Sequence, residues 1–321
     1  MAQARTVASG LARRIASTRA GAWAMLIVGN AIFAGSYAAG KVALRDLSPI
    51  MLNSLRFSIA SLLLLPIVIA GRRRLRFPPR MLPRFAMLVL MGFVINKFFE
   101  YEGLKLTTAS DTALLISIES IFTAIFSWVF LRERFSRAAV LALVVGFLGA
   151  YLIIEQGFLP HLDPTASTSL RVLGDLLVIL SLVFESGYTV SGKALLDRFP
   201  PLLITAASII GSLIFWLPAG AAEIASAGWP QLPLAGWLGV LYLAIAVTVV
   251  GYFLWFQALT QVDASSAAPF LFIQPFLGAV IAIVLLGEQL TWATAAGGTL
   301  ILVSVYLVSR RKPVIAEPFE A

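Results

Sequence analysis

The chain has 321 residues, of which 60% are hydrophobic and only 12% charged; its formal net charge is +8, with one histidine and no cysteine. A soluble globular chain carries roughly a quarter charged residues, so an ordinary soluble domain is excluded. Disulfides, iron–sulfur clusters and thiol catalysis are excluded as well, and so is a histidine-rich metal site, since His161 stands alone in the polar stretch 160–164.

The apolar residues fall in blocks of about 20, the length that spans hydrocarbon. Residues 1–21 carry Arg5, Arg13, Arg14 and Arg19 and read as a cytoplasmic segment. The block that follows runs past signal-peptide length with no small-residue cleavage site and is expected to stay as a helix. In chain order, helices are expected at 22–42, 49–70, 82–105, 108–131 and 137–155. After a connecting loop at 156–170 they resume at 171–194, 201–221, 234–260, 264–287 and 291–309, ahead of a cytoplasmic tail at 310–321. Breaks fall at Pro49, Pro78-Pro79, Pro160, Pro164, Pro200-Pro201, Pro230 and Pro233. Long unbroken apolar runs, not short alternating ones, select helices over a β-barrel. The expected class is an all-α membrane protein of ten transmembrane helices.

Positive charge flanks alternate blocks. Arg72, Arg73, Arg74, Arg76, Arg80 and Arg84 form one cluster, Arg132, Arg134 and Arg137 another, and Lys193 with Arg198 and Arg310, Arg311 and Lys312 complete the set. The opposite side has Arg45, Lys105 and Arg171, with Lys41 at a helix end. This bias puts both termini inside, in a multi-pass protein of the cytoplasmic (inner) membrane. Clusters beside apolar blocks are membrane anchors, so nucleic acid is not an expected partner. Trp23, Trp229, Trp237 and Trp292 lie near helix ends, where interface anchoring is expected.

The halves resemble each other. Residues 99–154 align with 254–309 without a gap, pairing Leu131-Arg132-Glu133 with Leu286-Gly287-Glu288, Ala109-Ser110 with Ala264-Ser265 and Tyr151 with Tyr306. Upstream, Gly40-Lys41 matches Gly192-Lys193, while Phe33 and Tyr37 match Phe184 and Tyr188 one residue out of register. A repeat with an odd number of helices enters the membrane upside down the second time. The Glu133 turn is rich in arginine and the Glu288 turn has none, as an inverted repeat requires. Inverted repeats point to alternating access around a site near the midplane.

Several features resemble the EamA branch of the drug/metabolite transporter superfamily. They are Leu55-Arg56-Phe57 followed by Ala60 and a leucine run, Ala264-Ser265-Ser266, and the paired helix endings FLRERFS (130–136) and LLGEQLT (285–291). The resemblance implies two EamA-like repeats, 22–155 and 171–309, and the export of amino acids, drugs or other metabolites. It also implies a proline in the fourth and ninth helices; Pro275 is present, but Ser120 stands at the other position.

A charge inside a bilayer costs about 3 kcal/mol or more and must face a partner or water. Lys97, Glu100 and Tyr101 share one face of the third helix. They read either as a self-neutralising Lys97–Glu100 pair or as a substrate site, with Lys97 for a carboxylate, Glu100 for an amine and Tyr101 as an aromatic wall. Tyr252, Trp255 and Phe256 align with them on the eighth helix. Glu119 aligns with Gln274, and both are expected to line a cavity. Glu185, beside Tyr188, belongs to one half only. Glu119 or Glu185 is expected to carry a coupled proton or to contact a substrate amine. Asn30, Tyr37 and Ser181 are weaker polar candidates. Arg56 reads as structural, snorkelling toward the membrane face or bonding backbone carbonyls. Glu133 and Glu288 read as locks that bond helix-end donors. Small residues at Gly35, Ala39 and Ala43, at Gly146 and Ala150, and at Gly297 and Gly298 read as packing seams, including a dimer face.

The expected function is a secondary transporter exporting amino acids or similar small metabolites, with drugs or organic cations as the alternative cargo. No cofactor is expected, and a monomer and a homodimer are both open. No catalytic pair lies in the spans: Asp46, Asp111, Asp163, Asp175, Asp197 and Asp263 sit near ends or in loops. No phosphate-binding loop is present, so neither an intramembrane enzyme nor an ATP-driven pump is expected.

Overall fold

A computed structural model describes residues 18–71, 78–107, 109–133, 137–155, 168–286 and 291–309. Arg5, Arg13, Arg14, Arg72, Arg73, Arg74, Arg76, Arg134, His161, Glu288, Arg310, Arg311 and Lys312 lie outside the described residues.

Among the described residues every regular element is helical. Helix α1 covers Arg19–Ala43, α2 Pro49–Gly71, α3 Pro79–Leu106, α4 Ala109–Leu131 and α5 Arg137–Glu155. Then come α6 at Thr168–Leu196, α7 at Pro201–Ala227 and α8 at Leu234–Leu259. Helix α9 starts at Ala264–Ala267, tightens to a 3-10 turn at Ala268–Phe272 and continues as Ile273–Leu286, and α10 is Trp292–Ser309. Seven of these, α1, α2, α3, α5, α7, α8 and α10, are long and apolar enough among the described residues to cross a membrane. Leucine, isoleucine and valine stand exposed along the outer faces of α2, α5 and α7. That is the reverse of a soluble protein and the expected dress of a lipid-facing surface.

The largest boundary difference is at α7, which runs six residues past its expected end at 221. Glu223 lies in that extension and accepts a bond from Ser48 Oγ at 2.7 Å, so a carboxylate in the last turns is tied to the start of α2.

Three irregularities shape the middle of the bundle. α3 and α8 each contain a π-helical stretch, Leu90–Ile95 and Tyr242–Gly251. A π turn releases backbone groups from the normal ladder, and such turns concentrate at functional sites. Here side chains take up the released groups: Trp216 Nε1 donates to Phe93 O at 2.7 Å, and Thr248 Oγ1 to Leu243 O at 2.7 Å. α1 breaks at Gly35, where a Cβ would lie 2.5 Å from the Tyr242 hydroxyl. That hydroxyl donates to Ile32 O at 2.7 Å, so the break and the tyrosine hold each other. The third irregularity is the 3-10 turn of α9. Pro275, with no N–H to give, follows directly, whereas α4 is regular through Ser120.

The small-residue seams are filled within one chain. Gly149 and Gly297 face each other so closely that a Cβ on either would meet the other's carbonyl oxygen at 2.6 and 2.5 Å. Gly146 abuts Phe272 and Ser304, and Gly239 packs on Ala39 and Ala43. These residues form the α5–α10 and α1–α8 contacts, the packing seams expected of them. Trp229 and Trp292 are exposed, as interface anchors are. Trp23 is not an anchor of that kind: it stacks on Phe270 at 4.9 Å.

Candidate functional site

Downstream of the π turn, α3 presents Asn96, Lys97, Glu100 and Tyr101 to the centre of the bundle, and all four are buried. Across from them lie Tyr252 and Trp255 on α8, Glu119 on α4, Glu185 and Thr189 on α6, Gln274 on α9, Tyr37 on α1 and Arg56 on α2. These residues line one cavity, with apolar stretches from Phe33, Ile116, Leu182, Val247 and Leu271.

Lys97 is the hub. Its Nζ pairs with Glu100 and, at 3.2 Å, with Glu185, and it lies 5.7 Å from the centre of the Tyr252 ring. The expected local pair of Lys97 with Glu100 exists, and it faces the cavity. The pair alone is incomplete, since a third group from α6 joins it.

Arg56 departs from expectation. It is 1% exposed and does not snorkel. Its Nε donates to Thr248 Oγ1 at 2.6 Å and its Nη1 to Tyr101 Oη at 2.8 Å. A guanidinium this deep is cavity lining. The π turn that frees Leu243 O fixes Thr248, and Thr248 in turn aims Arg56. Sequence reading missed this because π turns leave no clear mark in a run of apolar residues.

Glu119 is 7% exposed. Its electrostatic neighbours are Glu185, Lys97 and Glu100, and among the described residues its carboxylate makes no hydrogen bond or ion pair. Gln274 lies in the same cavity. Its Nε2 donates to Asn30 Oδ1 at 2.9 Å, and Asn30 Nδ2 donates to Leu26 O at 2.8 Å. Asn30 therefore stands behind Gln274 and outside the lining. Tyr188 is also outside it, enclosed by Phe93, Tyr252 and Phe256 with ring centroids 5.0 to 5.7 Å away. Ser181, Ser36 and Thr112 join the lining, and Asn96 Nδ2 donates to Ser181 O at 2.7 Å.

A second charged cluster sits at the ends of α4, α6 and α8. Arg132 adopts φ 55°, a left-handed turn that ends α4. Glu133 follows, and its carboxylate accepts from the backbone N–H of Ala264 at 3.1 Å and Ser265 at 2.9 Å. Lys193 lies 3.4 Å from Glu133 and donates to Val262 O at 2.5 Å. Asp263 is 3.7 Å from Lys193, and burial pushes its carboxyl upward against the pull of that lysine. The lock role expected of Glu133 matches this geometry; Glu288 lies outside the described residues. At the far ends of the helices Lys41 Nζ donates to Thr107 O at 2.7 Å, and Thr107 Oγ1 bonds Asp175.

A bundle with several apolar membrane-length helices around a buried cavity of mixed charge is a multi-pass membrane transporter. The chain belongs to the EamA-like transporter family, whose model matches residues 21–155 and again 172–310. A transporter of Archaeoglobus fulgidus, named as uncharacterized, is 32% identical over 90% of this chain and 99% of its own length. A probable terminal-alkyne amino-acid exporter of Streptantibioticus cattleyicolor is 27% identical, covering 90% of this chain and 93% of its own. Among the solved structures that match, a crystal structure aligns with TM-score 0.72 at 20% identity, over 90% of this chain and 96% of that one, a likeness of fold. With relatives named as transporters, the family places the chain among transporters.

Proposed function

We propose that the protein is a secondary active transporter that exports amino acids or similar small metabolites across the cytoplasmic membrane. It works by alternating access through the central cavity, without a cofactor. Both termini are cytoplasmic, and ten helices cross the membrane as two inverted five-helix repeats, residues 22–155 and 171–309. Three observations support the repeat. The family model matches twice. The π turns of α3 and α8 stand at matching places. Lys41 and Lys193 each reach the carbonyl of the residue two before the fourth helix of their half, Thr107 and Val262, which themselves align in the gapless match. These twin contacts favour the Gly40-Lys41 to Gly192-Lys193 register.

The observation that carries the function is the meeting of Arg56, Lys97, Glu100, Glu119 and Glu185 in one buried cavity. Groups so expensive to hold in a membrane mark a substrate or ion path. The mix of signs with aromatic walls suits zwitterions, and the exporter from Streptantibioticus cattleyicolor carries an amino-acid cargo in its name. Three carboxylates against two cations favour the second reading, export of organic cations, and Glu119 suits the coupled proton. Counterflow in proteoliposomes tests the function. Vesicles preloaded with an unlabelled amino acid are expected to accumulate the labelled one transiently and saturably. Counterflow of organic cations alone would select the second reading.

A further inference from the structure

The charges in the cavity divide into those answered by the chain and those left open. Lys97 is shared by Glu100 and Glu185. Such a lysine is held in place by two acids to which it already donates, and it is a poor partner for a third. Arg56 bonds only the hydroxyls of Thr248 and Tyr101, and among the described residues no carboxylate lies within ion-pair distance of it. A guanidinium has five N–H donors in a planar fork, so an edge remains for a ligand. Glu119 has no cation of its own. In the same cavity, among the described residues, Gln274 Oε1 is buried without a partner. Its orientation is fixed by a relay: Leu26 O takes the Asn30 amide N–H, which turns Asn30 Oδ1 toward Gln274 Nε2. The relay leaves Gln274 Oε1 as an open acceptor.

We propose that Arg56 and Glu119 are the two poles of a zwitterion receptor: the Arg56 guanidinium takes the carboxylate of the cargo, and Glu119 with Gln274 Oε1 takes its ammonium. Lys97 is then the internal counter-charge shared by Glu100 and Glu185, not the carboxylate ligand that its sequence position suggests. Buried charge-assisted bonds of this kind discriminate strongly, because a ligand lacking one charge leaves a pole desolvated and unpaired. The proposal rests on the reading of the chain as an exporter of amino acids or similar metabolites.

The test is ligand binding to purified full-length protein, followed by thermal shift, since a ligand of the folded state raises the melting temperature. A panel of α- and ω-amino acids identifies the tightest binder. Its carboxamide, which lacks the carboxylate, and its N-acetyl derivative, which lacks the ammonium, are then compared with it. Wild type is expected to prefer the zwitterion by about tenfold or more over each. Arg56→Gln should abolish the preference over the carboxamide and leave the preference over the N-acetyl compound. Glu119→Gln should do the converse. Arg56→Lys keeps the charge without the fork, so its preference over the carboxamide should fall part-way; this variant carries the test if Arg56→Gln does not fold. Preferences unchanged in these variants would overturn the assignment of the poles alone. A wild type that binds no zwitterion of the panel would overturn the amino-acid reading, and the receptor with it.

Discussion

The buried charges of the central cavity and the half-buried cluster at the end of α4 are built on opposite logics. In the cluster at the end of α4, Glu133 is answered by two backbone N–H groups of α9 and by Lys193, which also bonds Val262 O. Each of these charges has partners fixed by the chain. In the central cavity only Lys97, Glu100 and Glu185 answer one another, while Arg56 meets neutral hydroxyls and Glu119 meets mostly other acids. A cluster that exists to hold helices together satisfies itself. One that exists to hold cargo leaves charges open at some expense in stability.

The comparison can be broken by removing charges from each side. The largest effect is expected for Lys97→Met, which strips two buried carboxylates of their shared cation and should lower stability by about 3–5 kcal/mol. Chemical denaturation in detergent measures it, and a loss below about 1 kcal/mol would mean that the acids are well solvated. Glu133→Ala leaves two helix-end N–H groups without their acceptor and takes from Lys193 one of its acidic neighbours. It should lower stability by about 1–2 kcal/mol in the same assay. Glu119→Gln should leave stability unchanged or raise it by about 1 kcal/mol, because it replaces a buried carboxyl that makes no hydrogen bond or ion pair among the described residues, yet it should slow transport severely. Opposite signs for Glu119→Gln and Glu133→Ala are the sharpest form of the contrast. The smallest effect belongs to Arg132→Gly. Its φ of 55° suits glycine, as the aligned Gly287 suggests, so stability should rise by about 1 kcal/mol or less.

Much of the helical framework could be read in advance because hydrocarbon leaves few alternatives. Long apolar runs must be helices, and prolines and charges mark their ends, so α5 matches its expected 137–155 at both boundaries. The cavity was partly legible. Lys97, Glu100, Glu119, Glu185, Tyr252, Trp255 and Gln274 do meet, because polar groups in apolar helices must find one another or water. The misses have physical causes. Arg56 sits near a helix end in sequence, and only the π turn at Thr248 explains why it points inward instead of snorkelling. Asn30 and Tyr188 share the depth of the site, but one is spent orienting Gln274 and the other is walled in by aromatic rings. Glycine pairs such as Gly149 and Gly297 mark close helix contacts, and spacing does not say whether the partner is the same chain.

The central claim is that cargo moves through the cavity and is held there by charges the chain leaves open. Proteoliposome counterflow of the tightest-binding amino acid tests it most directly, run on wild type, Glu119→Gln and Glu133→Gln side by side. Wild type should show saturable counterflow and Glu119→Gln almost none while its melting temperature holds or rises; Glu133→Gln should melt lower yet keep recognising the same cargo. Full-rate counterflow by Glu119→Gln, at unchanged substrate preference, would contradict the account.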